Sequence, residues 1–235
     1  MISLVYGIIE SPSAALAREA ARPAGNGGLG PMAATIAGGT PAFRLNSPGW
    51  INAGPDIVQG VAGTQALTEY CRARLLNRVS VFALALRSFL SAYVDFAVAE
   101  VERRRDELEA RLRALGLPAD DGFPTYRDWV FSALLPVPQV HVAMPGDADP
   151  VAVDVLFWTG RSALALTLEG RTMPTPRQRR AQEAMLAAHP AMKAATLAVP
   201  ADGHSWALCE LAGHFDGALL PDTGLPFGPY RILAG

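Results

Sequence analysis

The sequence predicts an α/β or α+β protein with a mixed central sheet of four or more strands. Residues 125–200 follow the order helix, strand, strand, strand, helix, strand, because β-branched runs alternate there with helix formers and Gly/Pro turns. Residues 64–115 contain neither Gly nor Pro and predict one long helix, whereas residues 23–63 are rich in both and predict a long loop. These observations divide the chain into an N-terminal strand, short helix and Gly/Pro-rich arm (1–63), a long helix (64–117) and an α/β domain with a C-terminal hairpin and tail (118–235).

The bulk composition excludes several classes of protein. Of the 235 residues, 50% are hydrophobic and 18% are charged, which permits a sizeable core and argues against global disorder. The net charge of -2 argues against a protein that coats nucleic acid through bulk charge, because such proteins are strongly basic. A local basic patch remains compatible with this charge. The two cysteines, Cys71 and Cys209, form no paired motif, so we expect a reducing, cytoplasmic location.

The N-terminal part begins with an apolar stretch at residues 2–9, which indicates a strand and not a secretion signal because no basic run precedes it. Ser11 and Pro12 predict the start of a helix that runs to about Arg22. In the following arm we expect no regular element beyond a short helix at 32–36. A loop of this length is typical of a functional segment or of an arm that packs on a partner.

The predicted long helix is apolar around most of its circumference between residues 79 and 101. Its polar side chains keep mainly to one stripe about 100° wide. A membrane span is the alternative for such a segment, but Arg87 and Asp95 would each cost about 3 kcal/mol inside a bilayer. We therefore expect no membrane span, and a helix that is buried in a helical layer or in an oligomer interface.

Beyond residue 100 the same helix becomes highly charged and keeps a narrow apolar seam. Val101, Leu108, Leu112 and Leu115 recur at steps of seven, four and three residues. This spacing is typical of a coiled-coil-like contact with another helix or with a second subunit. The sequence thus predicts a homo-oligomer or a protein partner that binds through the long helix.

Two acidic residues occupy the centre of the predicted α/β domain. Asp154 lies inside one strand and Glu169 ends the next. If strands 151–158 and 162–169 pair as an antiparallel hairpin, both acids come to one edge of the sheet. Hydrolysis of a phosphodiester needs a hard cation, held by carboxylates, that polarises the phosphate and activates water. The pair therefore predicts a site for Mg²⁺.

The surrounding motifs resemble those of a known superfamily. They are VDVLF at 153–157, ALTLEGR at 165–171, RQRR at 177–180 and His189-Pro190. This pattern is similar to the PD-(D/E)XK restriction-endonuclease-like superfamily, and within it to the very-short-patch-repair-like group. The resemblance covers about residues 125–200. It implies an αβββαβ core and a bacterial, magnesium-dependent nuclease in nucleic-acid processing or defence.

Carried over residue by residue, the resemblance makes Asp154 and Glu169 the metal ligands. Thr167 stands where the group has a further acid. In a shifted match, residues 169–171 correspond to E-x-K with Arg171 in place of lysine, and Asp154, Glu169 and Arg171 then form the implied catalytic set. Asp128 is a weak match for the helix acid that often completes such a site. A hydroxyl supplies no carboxylate, and Arg is a poor proton donor or acceptor. Two forms therefore stay open, an active nuclease and a degenerate protein that binds without cutting.

Arg177, Arg179 and Arg180 cluster at the start of the helix that follows. Positive charge at a helix start opposes the macrodipole, which favours a ligand or an acidic partner over a purely structural role. In the nuclease-like interpretation these side chains meet phosphates of nucleic acid. A solvated helix face is the alternative interpretation.

The competing hypothesis is a non-enzymatic assembly or scaffold protein. In that case the long helix and the 23–63 arm make subunit contacts, and the α/β domain is a structural platform. This hypothesis is favoured by the net charge of -2, by Thr167 in place of an acid, and by the apolar surface of the long helix.

Two further patterns suggest other chemistry near the C-terminus. The segment 203–207 (GHSWA) echoes the nucleophile elbow of α/β-hydrolases, but Ala207 stands where Gly is expected. His204, Cys209 and His214 recur every five residues, a spacing that neither a helix nor a strand gathers on one face.

Overall fold

The structure is a computed structural model that describes most of the chain. The described residues are 2–21, 33–37, 42–45, 64–116, 125–132, 136–146, 148–158, 162–169, 175–198, 208, 211 and 213–215.

These residues form a mixed sheet with helices on both faces. Its strands are β1 (Ile2–Tyr6), β2 (Ala33–Ala37), β3 (Ala42–Leu45), β4 (Val137–Val142), β5 (Val151–Trp158), β6 (Ala163–Glu169) and β7 (Met192–Ala198). Their order in space is β3-β2-β1-β4-β5-β6-β7. All neighbouring strands are antiparallel except β6 and β7, which are parallel. The predicted α/β class with a mixed sheet is thus confirmed.

The helices are α1 (Pro12–Ala20), α2 (Thr64–Leu76), α3 (Leu84–Arg103), α4 (Arg105–Ala114) and α5 (Pro176–Ala188), with a 3-10 helix at Tyr126–Ser132. The helices α2 to α4 and the 3-10 helix share one core with the sheet, in which the rings of Tyr93 and Phe157 lie 5.2 Å apart. α5 packs on the other face, where Met185 joins Leu156 and Ala165 in a second core. The sheet is therefore the middle of three layers.

The central strands β5 and β6 form because their residues are β-branched or apolar almost without interruption. Helices cover both of their faces, so both sets of alternating side chains find apolar partners. Val155 and Phe157 enter the core under α3, whereas Leu156 enters the core under α5. The polar residue in this apolar run, Asp154, is therefore exceptional.

The predicted single long helix is wrong, because α2 and α3 are separate helices that pack side by side as a hairpin. Arg72 of α2 donates a hydrogen bond to Asp95 Oδ1 of α3 (2.6 Å). The guanidinium of Arg87 donates to the carbonyl oxygens of Leu76 and Val79. These bonds place a charged donor at the last residue of α2 and in the turn that follows it, where the carbonyls at the end of a helix lack intrahelical partners.

The apolar seam of α3 and α4 is buried within the chain. Val101, Leu108 and Leu112 are at most 2% exposed and join Trp129 of the 3-10 helix in the larger core. The sequence predicted that this seam contacts either another helix or a second subunit. In the structure its partners lie within the same chain. Leu115, at the end of the seam, is 47% exposed.

The apolar face of α3 also packs within the chain, as predicted for a buried helical layer. Its buried side chains are Leu86, Phe89, Leu90, Tyr93, Val94, Ala97 and Val101. In the described part of the chain, none of the helices combines the length and the apolarity that crossing a membrane requires.

The N-terminal arm contributes strands where the sequence predicted a loop with at most a short helix. β2 and β3 both lie within 23–63. β1 pairs with β2 on one side and with β4 on the other, so the N-terminal part and the α/β domain share one sheet. Pairing between strands satisfies backbone groups regardless of the Gly and Pro residues around them, which is why composition alone missed these strands.

The described C-terminal residues are helical where the sequence predicted a hairpin strand at 205–211. Leu208 and Leu211 adopt helical conformations and are buried in the larger core. Phe215 joins them, with its ring 5.1 Å from that of Phe157. Burial of these apolar side chains outweighs the local alternation that suggested a strand.

Candidate functional site

A cleft of about 690 Å³ opens between the centre of the sheet and the start of α5. Asp154 and Thr167 line it from the strands β5 and β6, and Thr175, Arg177 and Gln182 line it from the helix side. Paired strands form its floor, so its polar side chains are held on a rigid element.

Asp154 lies in the middle of β5, and its neighbours Val153 and Val155 are buried. Its Oδ2 accepts a hydrogen bond from the backbone N–H of Leu168 on β6 (2.8 Å). Burial raises the pKa of Asp154 above its ordinary value, and the hydrogen bond from Leu168 offsets part of this rise. A desolvated carboxyl group in a cleft is a candidate functional residue, because an apolar side chain would be more stable at such a position.

Thr167 of β6 lines the cleft together with Asp154 and directly follows Leu166, which pairs with Val155 in the β5–β6 ladder. Gln182 of α5 donates from Nε2 to Thr167 Oγ1 (2.9 Å) and so ties the helix to the floor of the cleft. The cleft therefore contains a hydroxyl group at the position where the resemblance implies a second acid.

The start of α5 is fixed by a capping box. Thr175 Oγ1 accepts a hydrogen bond from the N–H of Gln178 (3.2 Å), and Gln178 Oε1 accepts one from the N–H of Thr175 (2.8 Å). This cap determines where the helix begins, and Arg177 then lines the cleft. Arg179 and Arg180 are exposed on the same first turns. Of the three predicted arginines, Arg177 therefore shares the cleft with Asp154.

The other two residues of the predicted catalytic set are described only in part. Glu169 is the last residue of β6, and its backbone lies beside Ala198 of β7. The side chain of Glu169 and the whole of Arg171 lie outside the described residues. The predicted antiparallel hairpin of β5 and β6 is confirmed, whereas the predicted approach of the two carboxylates stays a prediction.

Asp128 is not part of this cleft. It is 2% exposed, and its Oδ2 accepts hydrogen bonds from the N–H of Thr125 (2.7 Å) and from the hydroxyl of Thr125 (3.2 Å). The adjacent Trp129 belongs to the core on the α3 side of the sheet, away from α5. Asp128 thus stabilises the start of the 3-10 helix. The residue that weakly matched the helix acid of the superfamily therefore has a structural role.

Two titratable residues of the cleft were missed by the sequence analysis, namely His141 on β4 and Asp149 just before β5. His141 is half-buried, and burial lowers its pKa below the ordinary value. It pairs with Ala152 of β5, and its neighbours Val140 and Val142 belong to the core under α5, so alternation directs the His141 side chain to the opposite face of the sheet. The pairing register of β4 against β5 is what brings these residues to the cleft. This register cannot be read from the sequence, because a long turn separates the two strands.

The metal-ligating side chains among the described residues suit an ion that keeps water in its shell better than an ion enclosed by protein ligands. Among the residues that the structure describes, no three His, Cys, Asp or Glu side chains are grouped so that they could hold a metal ion. Asp154 and Asp149 are the described carboxylates that line the cleft. Mg²⁺ commonly binds through one or two carboxylates and completes its shell with water and substrate phosphate. Asp154 is the donor that would anchor such an ion, in the cleft that Thr167 also lines.

The two C-terminal patterns gain no support from the described residues. The segment 203–207 and Cys209 lie outside them, and His214 is exposed.

No protein-family model, no curated protein and no solved structure matches this chain.

Proposed function

We propose that this chain is a PD-(D/E)XK-like protein that binds nucleic acid in the cleft between the sheet and α5 and hydrolyses phosphodiester bonds there with Mg²⁺. The observation that carries the proposal is Asp154, a desolvated carboxyl group in the middle of an apolar strand, which shares a large cleft with Arg177. Burial of an acid in such a cleft is favourable when a cation binds it in the working state.

The arrangement of strands supports the proposal. β4, β5, β6 and β7 are neighbours in the order of the chain, and β5 alone runs against the other three. Helices precede β4 and separate β6 from β7, which is the αβββαβ order that the resemblance implies. Asp154 and Glu169 lie on the two central strands of this unit.

The positive charges at the start of α5 support the binding of a polyanionic ligand. Arg177, Arg179 and Arg180 are all exposed within the first two turns, where positive charge opposes the helix dipole. A phosphate backbone along these turns would offset that unfavourable placement. Local basicity of this kind is compatible with the net charge of -2 for the whole chain.

Each group of the cleft has a defined task in this proposal. Asp154 anchors the cation, with Glu169 as the second carboxylate that the resemblance implies, and Arg177 binds a phosphate oxygen next to the bond that breaks. Gln182 fixes the hydroxyl of Thr167. When bound, Mg²⁺ polarises the phosphate and lowers the pKa of a coordinated water.

Cleavage assays with the full chain test this function. Supercoiled plasmid, single-stranded DNA and RNA are incubated with the protein and Mg²⁺ or Mn²⁺. We expect cleavage of at least one substrate, and a loss of more than about 100-fold in Asp154→Ala, since even partners of metal ligands contribute about 10–100-fold. Asp106→Ala is the matched control, because it makes the same substitution at an exposed carboxylate of α4, outside the cleft.

Binding assays separate the nucleic-acid surface from the chemistry. Alanine at Arg177, Arg179 and Arg180 should weaken binding and lower the dependence of affinity on salt by about 0.7–0.9 per lost phosphate contact. Arg113→Ala, an exposed arginine on α4, should leave binding unchanged. Wild-type protein that neither cleaves nor binds any of the three nucleic acids contradicts the proposal. Binding without cleavage identifies the degenerate form.

One observation favours the assembly hypothesis as a second candidate. Val81, Phe82 and Leu84, in and beside the turn between α2 and α3, are 66%, 90% and 72% exposed. Three adjacent large apolar side chains of this exposure are typical of a contact surface. We propose self-association through this turn as the alternative function.

A further inference from the structure

The middle of β4 departs from a regular strand at Pro138 and Gln139. β4 lies between β1 and β5, so both of its edges face a neighbouring strand. Proline cannot donate a hydrogen bond to a ladder, and within sheets it is confined to edge strands, to the first residue of a strand and to bulges. Gln139 has a φ of 49°, in the left-handed region that residues other than Gly rarely adopt. Together these residues mark an irregularity inside a central strand.

This irregularity lies opposite Asp154. β4 and β5 pair on both sides of it, through Pro138 with Val155 and Val140 with Val153. Gln139 and Asp154 are the residues enclosed by these two pairs, so they face each other across the strands. The described ladder skips the step between Gln139 and Asp154 themselves, and both residues line the cleft.

The apolar pattern of both strands shifts by one residue at the same place. Side chains of a regular strand alternate between faces, so the residues of one face recur at every second position. From β5, the core under α5 contains Val151, Val153 and Leu156. From β4, the same core contains Val137, Val140 and Val142. Each set includes one step of three residues, and that step spans Asp154 in β5 and Gln139 in β4.

The shift decides the face of the sheet to which Asp154 belongs. Counted from Val153, alternation would direct the Asp154 side chain away from α5. Counted from Leu156, it directs this side chain toward α5, where Gln182 also lines the cleft. The hydrogen bond from the N–H of Leu168 to Asp154 Oδ2 (2.8 Å) then holds the carboxyl group in place.

We propose that Gln139 is a positioning residue, whose left-handed backbone shifts the alternation of β4 and β5 so that the Asp154 carboxyl group enters the cleft. The inference rests on the function proposed above, in which this carboxyl group anchors Mg²⁺. It explains how a strand that is otherwise apolar presents an acid at that point.

Contacts from two other parts of the chain hold Gln139 in this conformation. The N–H of Gly7, just after β1, donates to the carbonyl oxygens of Pro138 (3.2 Å) and Gln139 (3.1 Å). The N–H of Ser80, in the turn between α2 and α3, donates to Gln139 Oε1 (3.2 Å). An unfavourable backbone conformation persists where surrounding contacts determine it. The bond from Ser80 also gives the side chain a role that Gly could not fill at this position.

The Leu168 amide reports where the Asp154 side chain lies, without metal or substrate. Its exchange with D2O is measured by NMR on the full chain. Asp154→Ala removes the acceptor and should accelerate exchange by about 10-fold or more, the value of one hydrogen bond to a carboxylate. Gln139→Val should have a similar effect, because a β-branched residue is disfavoured in the left-handed region. Gln139→Asn should keep the wild-type rate, because Asn adopts this conformation more readily.

Two controls accompany this measurement. Gln65→Val makes the same substitution at an exposed position of α2 outside the cleft and should leave the exchange of Leu168 unchanged. The amide of Leu166, within the paired part of β5 and β6, should stay protected in every variant. Circular dichroism verifies folding, and Gln139→Ala, a milder change with an intermediate expected effect, takes the place of Gln139→Val if that variant does not fold.

Binding of Mn²⁺ alone, followed by electron paramagnetic resonance, distinguishes positioning from a general effect on stability. Gln139→Val should weaken the affinity for Mn²⁺ by about 10–100-fold, the usual effect of losing a group that orients a metal ligand. Gln139→Gly should keep the wild-type affinity, because Gly adopts a positive φ freely. This variant also lacks the side-chain bond to Ser80, so retained affinity assigns the positioning to the backbone of residue 139.

The outcomes separate this inference from the function on which it rests. A folded Gln139→Val protein with the wild-type exchange of Leu168 overturns the inference, and so does one that binds Mn²⁺ as tightly as a metal-binding wild type. Faster exchange of Leu168 in Gln139→Val, with a wild type that neither binds Mn²⁺ nor cleaves nucleic acid, supports the placement of Asp154 and overturns the proposed function alone.

Discussion

At the scale of single residues, Asp154 reduces the stability of the protein at neutral pH. In the unfolded chain its carboxyl group titrates near 3.8, and folding raises this pKa through burial. The native state is therefore progressively less stable as pH rises from 3.8 through the folded pKa, and the full penalty is present above it. Such a penalty is typical of a residue that is retained for function.

We predict that Asp154→Asn stabilises the folded protein at pH 7 by about 0.5–2 kcal/mol, the range of favourable single substitutions. The amide keeps an oxygen that can accept the hydrogen bond from Leu168 and carries no charge to desolvate. The gain should shrink toward pH 4, because the wild-type carboxyl group then becomes protonated. Urea unfolding from pH 4 to pH 8 measures this difference.

Asp149→Asn is the control for this measurement, since Asp149 is exposed and its substitution should leave stability nearly unchanged. An Asp154→Asn variant that is less stable than the wild type at pH 7 would show that the carboxylate has a stabilising partner.

Single residues also mark how far the sequence predicts the site. The pattern of an acid within an apolar strand identified Asp154, and RQRR identified the arginines at the start of a helix, because both signals are local. His141 and Gln182 were missed, since each depends on a long-range pairing, β4 against β5 and α5 against β6. Asp128 matched a local pattern, but its partner Thr125 lies on the far side of the sheet from α5.

At the scale of elements, strong periodicity in the sequence predicted well where helices and strands lie. It predicted poorly where one helix ends and the next begins. The predicted bounds of β5 agree with the observed strand, and α5 begins directly after its cap at Thr175. The single helix over residues 64–115 failed because helix propensity continues through a turn that is set by tertiary contacts. The backbone N–H of Ser80 donates to Gln139 Oε1 of β4 (3.2 Å), and Arg87 binds carbonyls at the end of α2. Neither contact is visible in a local window.

We predict that Arg87→Met lowers the free energy of unfolding by about 1.5–3 kcal/mol. The substitution keeps much of the aliphatic length and removes two hydrogen bonds from a charged donor to the carbonyl oxygens of Leu76 and Val79. Chemical denaturation measures the change. Arg113→Met is the control, because Arg113 is 62% exposed and pairs with Glu109 at 3.7 Å, a contact of little expected value.

Equal stability of the Arg87→Met and Arg113→Met variants would mean that water replaces the guanidinium at the turn. In that case the helix would end for a reason other than Arg87, and the bond from Ser80 to Gln139 would be the next candidate.

At the scale of the whole molecule, the sheet joins parts that composition had separated. The Gly/Pro-rich arm predicted a separate appendage, yet β2 and β3 extend the sheet that carries Asp154. The charged helix predicted a contact with another helix or with a second subunit, and Leu108 and Leu112 are 0% exposed within the chain. In both cases burial against distant residues decided the outcome, and a single sequence does not reveal such partners.

Among the residues that the structure describes, the most exposed large apolar side chains lie at the turn between α2 and α3, and this changes where self-association is expected. Phe82 is 90% exposed and Leu84 is 72% exposed, whereas Leu115 of the original seam is 47% exposed. If the chain assembles, the turn offers more apolar surface than the seam does.

We therefore predict that the double variant Phe82→Ser and Leu84→Ser dissociates a wild-type oligomer. Its thermal stability should stay within about 0.5 kcal/mol of the wild type, because exposed side chains contribute little to the folded monomer. Light scattering after size-exclusion chromatography measures the mass of both proteins. Leu115→Ser, at the exposed end of the seam, should keep the wild-type mass. A monomeric wild type would remove the assembly hypothesis and leave the cleft around Asp154 as the basis of function, whereas dissociation by Leu115→Ser alone would return the contact to the seam.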